Sequence, residues 1–226
     1  GEFDTYWTAI CDEGRYVAFS SWSEFVTPDF NGRSDVFIHD RFGSITTRVS
    51  ITNEGHESNG GSSCGDISGD GRFVVFASDA SNLVVGDTNG RTDVFVRDQF
   101  LGQTKRLSVS TSGSQSNNWS GDARISSDGR YVAFRSLASN LVPGDTNGKI
   151  DGFVRDTLTG NTFRVNLSHT GLQANADCGE LALSRGSTVV AFTSSASNLV
   201  QMDMNSTSDA FVRDWMTGVT HLASIS

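Results

Sequence analysis

A period of 58 residues, four strand-like segments in each period and no stretch with helical periodicity predict an all-β fold. The expected architecture is a β-propeller built from four tandem four-stranded antiparallel blades. The period is read from Asp35-Val36-Phe37-Ile38-His39-Asp40, which returns as Asp93–Asp98, Asp151–Asp156 and Asp209–Asp214, each 58 residues after the last. A second marker keeps step, save that the first copy is one residue shorter before Asp29: Val17-Ala18-Phe19, Val74-Val75-Phe76, Val132-Ala133-Phe134 and Val190-Ala191-Phe192. A self-similar period of this length denotes repeated supersecondary units, each unable to bury its own apolar face. Stacking four-stranded sheets radially covers those faces and leaves only short edges.

The third copy shows the elements in order. Strand A is expected at about Ala123–Ser126, then a turn at Ser127-Asp128-Gly129, and strand B at Tyr131–Ser136. A long loop leads to strand C at Asp151–Asp156, and Leu158-Thr159-Gly160 turns into strand D at Thr162–Ser168. Alternating β-branched and aromatic residues bounded by Gly, Ser and Asn clusters are the strand signal throughout. The blades fall roughly at 4–60, 61–118, 119–176 and 177–226, as a single domain. Residues 1–3 stand outside the repeat and read as an added remnant. Phe19, Phe76, Phe134 and Phe192 on strand B, with Phe37, Phe95, Phe153 and Phe211 on strand C, are expected to fill the layers between blades. Burial of each ring is worth about 1.5–3 kcal/mol. Because the first and last copies carry the same apolar residues as the inner ones, a closed ring is expected. A single four-bladed ring is favoured, the alternatives being an eight-bladed homodimer and a fragment of a longer array with exposed terminal blade faces.

Composition narrows the partners. The chain has 226 residues, 24 of them Gly and 2 Pro, a net charge of −9 and a pI near 4.8. Nucleic acid is excluded, since binding its phosphates requires clustered Lys and Arg. No apolar run is long enough to insert in a membrane. With no initiator Met and no leader, the chain reads as a processed or excised piece of a longer protein.

The run Ile125-Ser126-Ser127-Asp128-Gly129-Arg130-Tyr131-Val132-Ala133-Phe134, followed by Phe153-Val154-Arg155-Asp156 and Thr159-Gly160, resembles the WD-like propeller repeat of TolB-type proteins. The resemblance covers all four copies. The turn lacks the family's Pro, the fourth copy reads Ser184-Arg185-Gly186-Ser187, and the loop between strands B and C is longer than usual. The resemblance implies a binding module and a bacterial, secreted or periplasmic location; a propeller alone does not fix activity.

Long loops on a rigid scaffold tend to carry function, so the face bearing the B–C and D–A loops is the expected working surface. It holds the sharpest pattern in the chain: Asp29, Asn31 and Asp35; Asp87, Asn89 and Asp93; Asp145, Asn147 and Asp151; Asp203, Asn205 and Asp209. Alternating oxygen side chains around a turn Gly resemble the start of a Ca²⁺ loop. Asx-turns that cap their own backbone account for the same residues without metal. Trp22 and Trp119 lie on this face and are candidate stacking platforms for a glycan, a peptide or a protein partner. The Arg-Asp pairs closing strand C point to opposite sheet faces, which denies them a joint catalytic role. Gly61-Ser62-Ser63-Cys64-Gly65 matches Gly-x-Ser-x-Gly, but a nucleophile elbow needs a helix after the Ser and a strand is expected here. His39, His56, His169 and His221 occupy four different repeat positions and form no constellation. Cys64 and Cys178 leave a disulfide across the channel conceivable. A non-catalytic binding or scaffold module is therefore expected, the alternatives being a secreted hydrolase or lyase working at the channel mouth, or a structural spacer whose ligand is Ca²⁺.

Overall fold

A computed structural model describes residues 5–186, 188–201, 203 and 207–224. These residues form sixteen β-strands and no helix. Blade 1 comprises β1 (Thr5–Ile10), β2 (Tyr16–Ser21), β3 (Asp35–Asp40) and β4 (Ile45–Arg48). Blade 2 comprises β5 (Ser62–Ile67), β6 (Phe73–Ser78), β7 (Asp93–Asp98) and β8 (Gln103–Arg106). Blade 3 comprises β9 (Ser120–Ile125), β10 (Tyr131–Ser136), β11 (Asp151–Asp156) and β12 (Thr162–Arg164). Blade 4 comprises β13 (Cys178–Leu183), β14 (Val189–Ser194), β15 (Asp209–Asp214) and β16 (Val219–Leu222). Each blade is an antiparallel meander of consecutive strands, so the fold is that of four tandem propeller blades.

Strand C matches its expected bounds in every blade and strand B does so in blade 3, whereas the outer two strands of blade 3 differ. In blade 3 strand A begins at Ser120, because a bulge between Gly121 and Arg124 lets it keep pairing with β10. The same irregularity interrupts β1, β5 and β13. Strand D is shorter than expected. After Arg164 the chain leaves the sheet edge and folds back on itself through a Leu167–Gln173 bridge, as it does at Val109–Gln115 and Ile51–Glu57.

Alternation along the strands puts the Phe pairs between blades. Phe76 stacks on Phe95, Phe134 on Phe153 and Phe192 on Phe211 at 5.6–5.7 Å, each pair being the cross-strand partners of strands B and C. Each stack faces the preceding blade, where small and branched residues meet it. Val36, Ile38 and Val49 of blade 1 pack with Phe76, Phe95, Ile67 and Leu83 of blade 2. Equivalent layers join blade 2 to blade 3 and blade 3 to blade 4. Among the described residues there are three such layers and none joins blade 4 to blade 1. The stack is open, which corrects the closed four-bladed ring. Ile10, at the position of buried Ile67, is 56% exposed; Phe25, at the position of buried Leu83, is 50% exposed. On the far side of blade 4, Ala191 and Ala223 are exposed. Blade 1 and blade 4 are linked instead by an ion pair between Asp12 and Arg185, in the A–B turns.

A polar latch accompanies each layer. The Arg of the strand C motif and a Thr of strand D both donate to main-chain carbonyls in the D–A loop of the preceding blade. Arg155 Nη1 reaches Ser110 O at 3.1 Å and Thr162 Oγ1 reaches Val109 O at 2.6 Å. Arg97 with Thr104, and Arg213 with Thr220, repeat the arrangement. Blade 1 has His39 at the Arg position, and among the described residues its ring bonds its own Thr46, at 2.9 Å. The Asp that ends strand C turns the other way. Asp98 and Asp156 form bidentate pairs with Arg72 and Arg130 of their own A–B turns, so the Arg and Asp of the motif serve separate contacts. Cys11, Cys64 and Cys178 are buried free thiols, so no disulfide crosses the channel. No helix is long and apolar enough to cross a membrane.

Candidate functional site

The strand order places the B–C and D–A loops on one face, and repeated ties make that face rigid. Asn59 N–H donates to Asn82 Oδ1 while Ser81 N–H donates to Asn59 Oδ1, a reciprocal clasp between a D–A loop and the following B–C loop. Asn117 with Asn140, and Asn175 with Asn198, form the same clasp. The Ser-Asn-Leu-Val segments are thus packing devices, with Leu83, Leu141 and Leu199 at most 1% exposed.

Near the axis of this face two adjoining clefts open between blades 1, 2 and 3. The first, about 210 Å³, is lined by Trp7, Ser63, Thr92, Trp119, Asp122 and Arg124, among others. The second, about 300 Å³, is lined by Trp22, Arg33, Ser34 and Asp79, and shares Ser63, Ala77 and Thr92 with the first. The two Trp residues singled out from the sequence therefore border two clefts that share a wall, together forming a depression on this face. Trp7 joins them, 60% exposed. Trp119 lies flat on the strand A backbone because residue 121 is Gly; a Cβ there would sit 2.7 Å from the ring.

Trp7 escaped sequence reasoning because strand A is the least regular strand of the repeat. Its backbone φ is +46°, and Asp122, at the same repeat position in blade 3, has φ +53°. Non-Gly residues held in the left-handed region cost free energy and cluster at functional sites. Here the strain turns both side chains toward the cleft. Asp122 accepts from Arg135 Nη1 at 2.6 Å, and Arg135 Nε also holds Cys178 O at 3.0 Å. Arg124 donates to Ala123 O at 2.9 Å. Deeper on the axis, burial pushes the Asp66 carboxyl above its ordinary range. The depression thus offers flat apolar rings, hydroxyls, and a paired carboxylate and guanidinium. Ser63 pairs with Ala77 inside β5, no helix follows it, and no histidine lines either cleft. The Gly-x-Ser-x-Gly match is a strand.

The Asp-x-Asn loops lie farther out. In the first three, the Asn side chain makes the expected Asx-turn, accepting from Arg33, Arg91 or Lys149 N–H at 2.5–3.1 Å. The Asn amide also donates to the D–A loop, at Ser58 O, Ser116 O or Ala174 O. A guanidinium from strand D stands where a cation would. Arg106 Nη1 bridges Asp87 at 3.0 Å and Asp93 at 3.2 Å, and Arg164 Nη1 bridges Asp145 at 3.1 Å and Asp151 at 3.0 Å. In blade 1, Asp29, Asp35 and Glu57 bring carboxylate oxygens within 4.8 Å of one another, and Arg48 pairs with Asp35 and Glu57. Burial is the main reason the Asp35 carboxyl rises to about 6. In the fourth loop Asn205 lies outside the described residues; Asp203 is half-buried and Asp209 buried. The Arg partner was missed because it stands 13 residues after the closing Asp, on another strand.

The opposite face carries a row of exposed apolar residues at the tips of the C–D turns: Phe42, Phe100, Leu158 and Met216, each 63–83% exposed. They share one repeat position, a signal legible in the sequence but passed over there.

No protein-family model matches the chain, and no curated protein matches it by sequence. Solved structures do resemble it. A TolB protein of Agrobacterium tumefaciens superposes with a TM-score of 0.58 at 15% identity, over 95% of this chain and 63% of that one. An oligogalacturonate lyase in complex with manganese gives 0.57 at 10%, over 98% and 53%. The β-propeller domain of the Trilobed protease of Pyrococcus furiosus, which has an open velcro topology, gives 0.56 at 11%, over 99% and 57%. At these identities the likeness establishes the β-propeller fold alone. The chain spans less than two thirds of each of those proteins.

Proposed function

We propose that this chain is a non-catalytic carbohydrate-binding module that holds its ligand in the Trp-bordered depression on the long-loop face. The observation that carries this is the convergence of Trp7, Trp22 and Trp119 on two adjoining clefts with a shared Ser63–Thr92 wall. An indole face stacks on the apolar face of a sugar ring, while hydroxyls and the Asp122–Arg135 pair match sugar hydroxyls. Such sites combine apolar walls with a few placed polar groups. A secreted or periplasmic setting in a bacterium, as part of a larger protein, fits this role. A glycan array followed by calorimetry on the best binder tests it. Trp7→Ala and Trp22→Ala should each weaken binding about tenfold, equivalent to about 1.4 kcal/mol. Binding unaffected by both substitutions removes the depression from the reading. Turnover of the bound glycan would replace it with a lyase or hydrolase.

A further inference from the structure

We infer that the fourth Asp-x-Asn loop is a Ca²⁺ site built on Asp203 and Asp209, whereas the first three loops are closed by the chain's own arginines. The four loops have the same two carboxylates but not the same cation. The residue paired across strand C from Phe37, Phe95 and Phe153 is Arg48, Arg106 and Arg164; opposite Phe211 it is Leu222. In each blade one oxygen of the closing Asp is consumed by a side chain of strand D or just beyond it: Ser50, Ser108, Asn166 or Ser224, at 2.5–2.6 Å. The other oxygen takes Arg in the first three, at 3.0–3.2 Å.

In blade 4 that second oxygen, Asp209 Oδ2, is buried and accepts no hydrogen bond from any described residue. Asp209 itself is only 5% exposed. A buried carboxylate oxygen without donor or counter-charge is costly, so these occur paired or on a metal. Leu222 cannot supply the charge, and it packs with the blade 3–blade 4 apolar layer instead. Asp203 holds the repeat position of Asp87 and Asp145, the residues that meet the guanidinium in blades 2 and 3. Carboxylate oxygens favour a hard cation, and Ca²⁺ takes six to eight oxygen ligands in irregular geometry, the remainder of which water can supply. The site is independent of the ligand proposed for the Trp-bordered depression.

The test is the thermal unfolding of the full chain, stripped with chelator, with and without Ca²⁺. An ion bound only to the folded state at a hundredfold over its Kd should raise Tm by about 5–10 °C for a chain of this size. Asp209→Asn should abolish the rise. Leu222→Arg, which installs the residue of the other three blades, should raise Tm without metal and also abolish the rise. Glu57→Gln, which gives blade 1 the residue found at 115 and 173, should leave the rise intact. No rise in the parent chain overturns the inference, as does a rise that survives Leu222→Arg or is lost in Glu57→Gln.

Discussion

Replacing Thr162 by Val removes one hydroxyl from the latch between blades 2 and 3 while keeping shape. The Thr162 hydroxyl donates to Val109 O at 2.6 Å and accepts from Arg155 Nη1 at 2.8 Å, at a residue 5% exposed. Two hydrogen bonds disappear, and Val109 O keeps only the Arg155 contact at 3.3 Å. A net bond is worth about 1 kcal/mol, and a buried group left short of a partner costs about 1–3 kcal/mol, so a loss of about 2 kcal/mol is expected. Thr46→Val in blade 1 is the internal control: that hydroxyl meets only His39 of its own blade, and its loss should cost under about 1 kcal/mol. Urea unfolding monitored by tryptophan fluorescence measures both. The difference between the two variants is the contribution of the inter-blade carbonyl. Equal losses for Thr46→Val and Thr162→Val would refute the latch as a stabilising device.

Two further outcomes follow from the same structure. Gly65→Ala should lower stability by about 1–3 kcal/mol in the same urea assay, since the added Cβ would sit 2.7 Å from Ala123 O, a backbone atom of the neighbouring blade that cannot swing aside; an unchanged midpoint would show that β5 and β9 do not touch there. The Arg130 guanidinium and the Leu158 and Thr159 N–H groups hold the Asp156 carboxyl down to about 2, below its unfolded range. Its contribution is therefore complete above about pH 4 and lost as pH falls through 2, and Arg130→Met should flatten the slope of Tm against pH between those limits; a slope identical to the parent's would exclude that pair as its source.

The period, the strand pairs B–C and the Phe stacks were legible because they rest on residues that contact their own repeat neighbours. Phe134 and Phe153 can be paired from the sequence, since strand alternation and turn position fix their register. Ring closure was not legible. The angle between blades is set by how thick each layer is at its two ends. Inner strands approach backbone to backbone at Gly65 and Ala123, while farther out Phe pairs and Leu83 or Leu141 hold the sheets apart. That wedge depends on side-chain rotamers across two blades. The same limit explains the sites. Trp22 and Trp119 stand in readable loops, whereas Trp7 reaches the cleft through a strained bulge that no local pattern announces. The carboxylates of the Asp-x-Asn loops were plain. The Arg or Leu that stands opposite the strand C Phe sits on the next strand, where pairing had to be known first.

The latch gives the stack a grammar that runs one way. Donors on blade 3 read carbonyls already presented by the loop after blade 2, and blade 4 reads those after blade 3. An isolated later blade would carry a buried-type Arg and Thr with nothing to read, while an isolated earlier blade would lack only a reader. His39 in blade 1 differs, since its ring bonds Thr46 of its own blade. The donors always lie later in the chain than the carbonyls they read, so each latch runs in one direction along the stack.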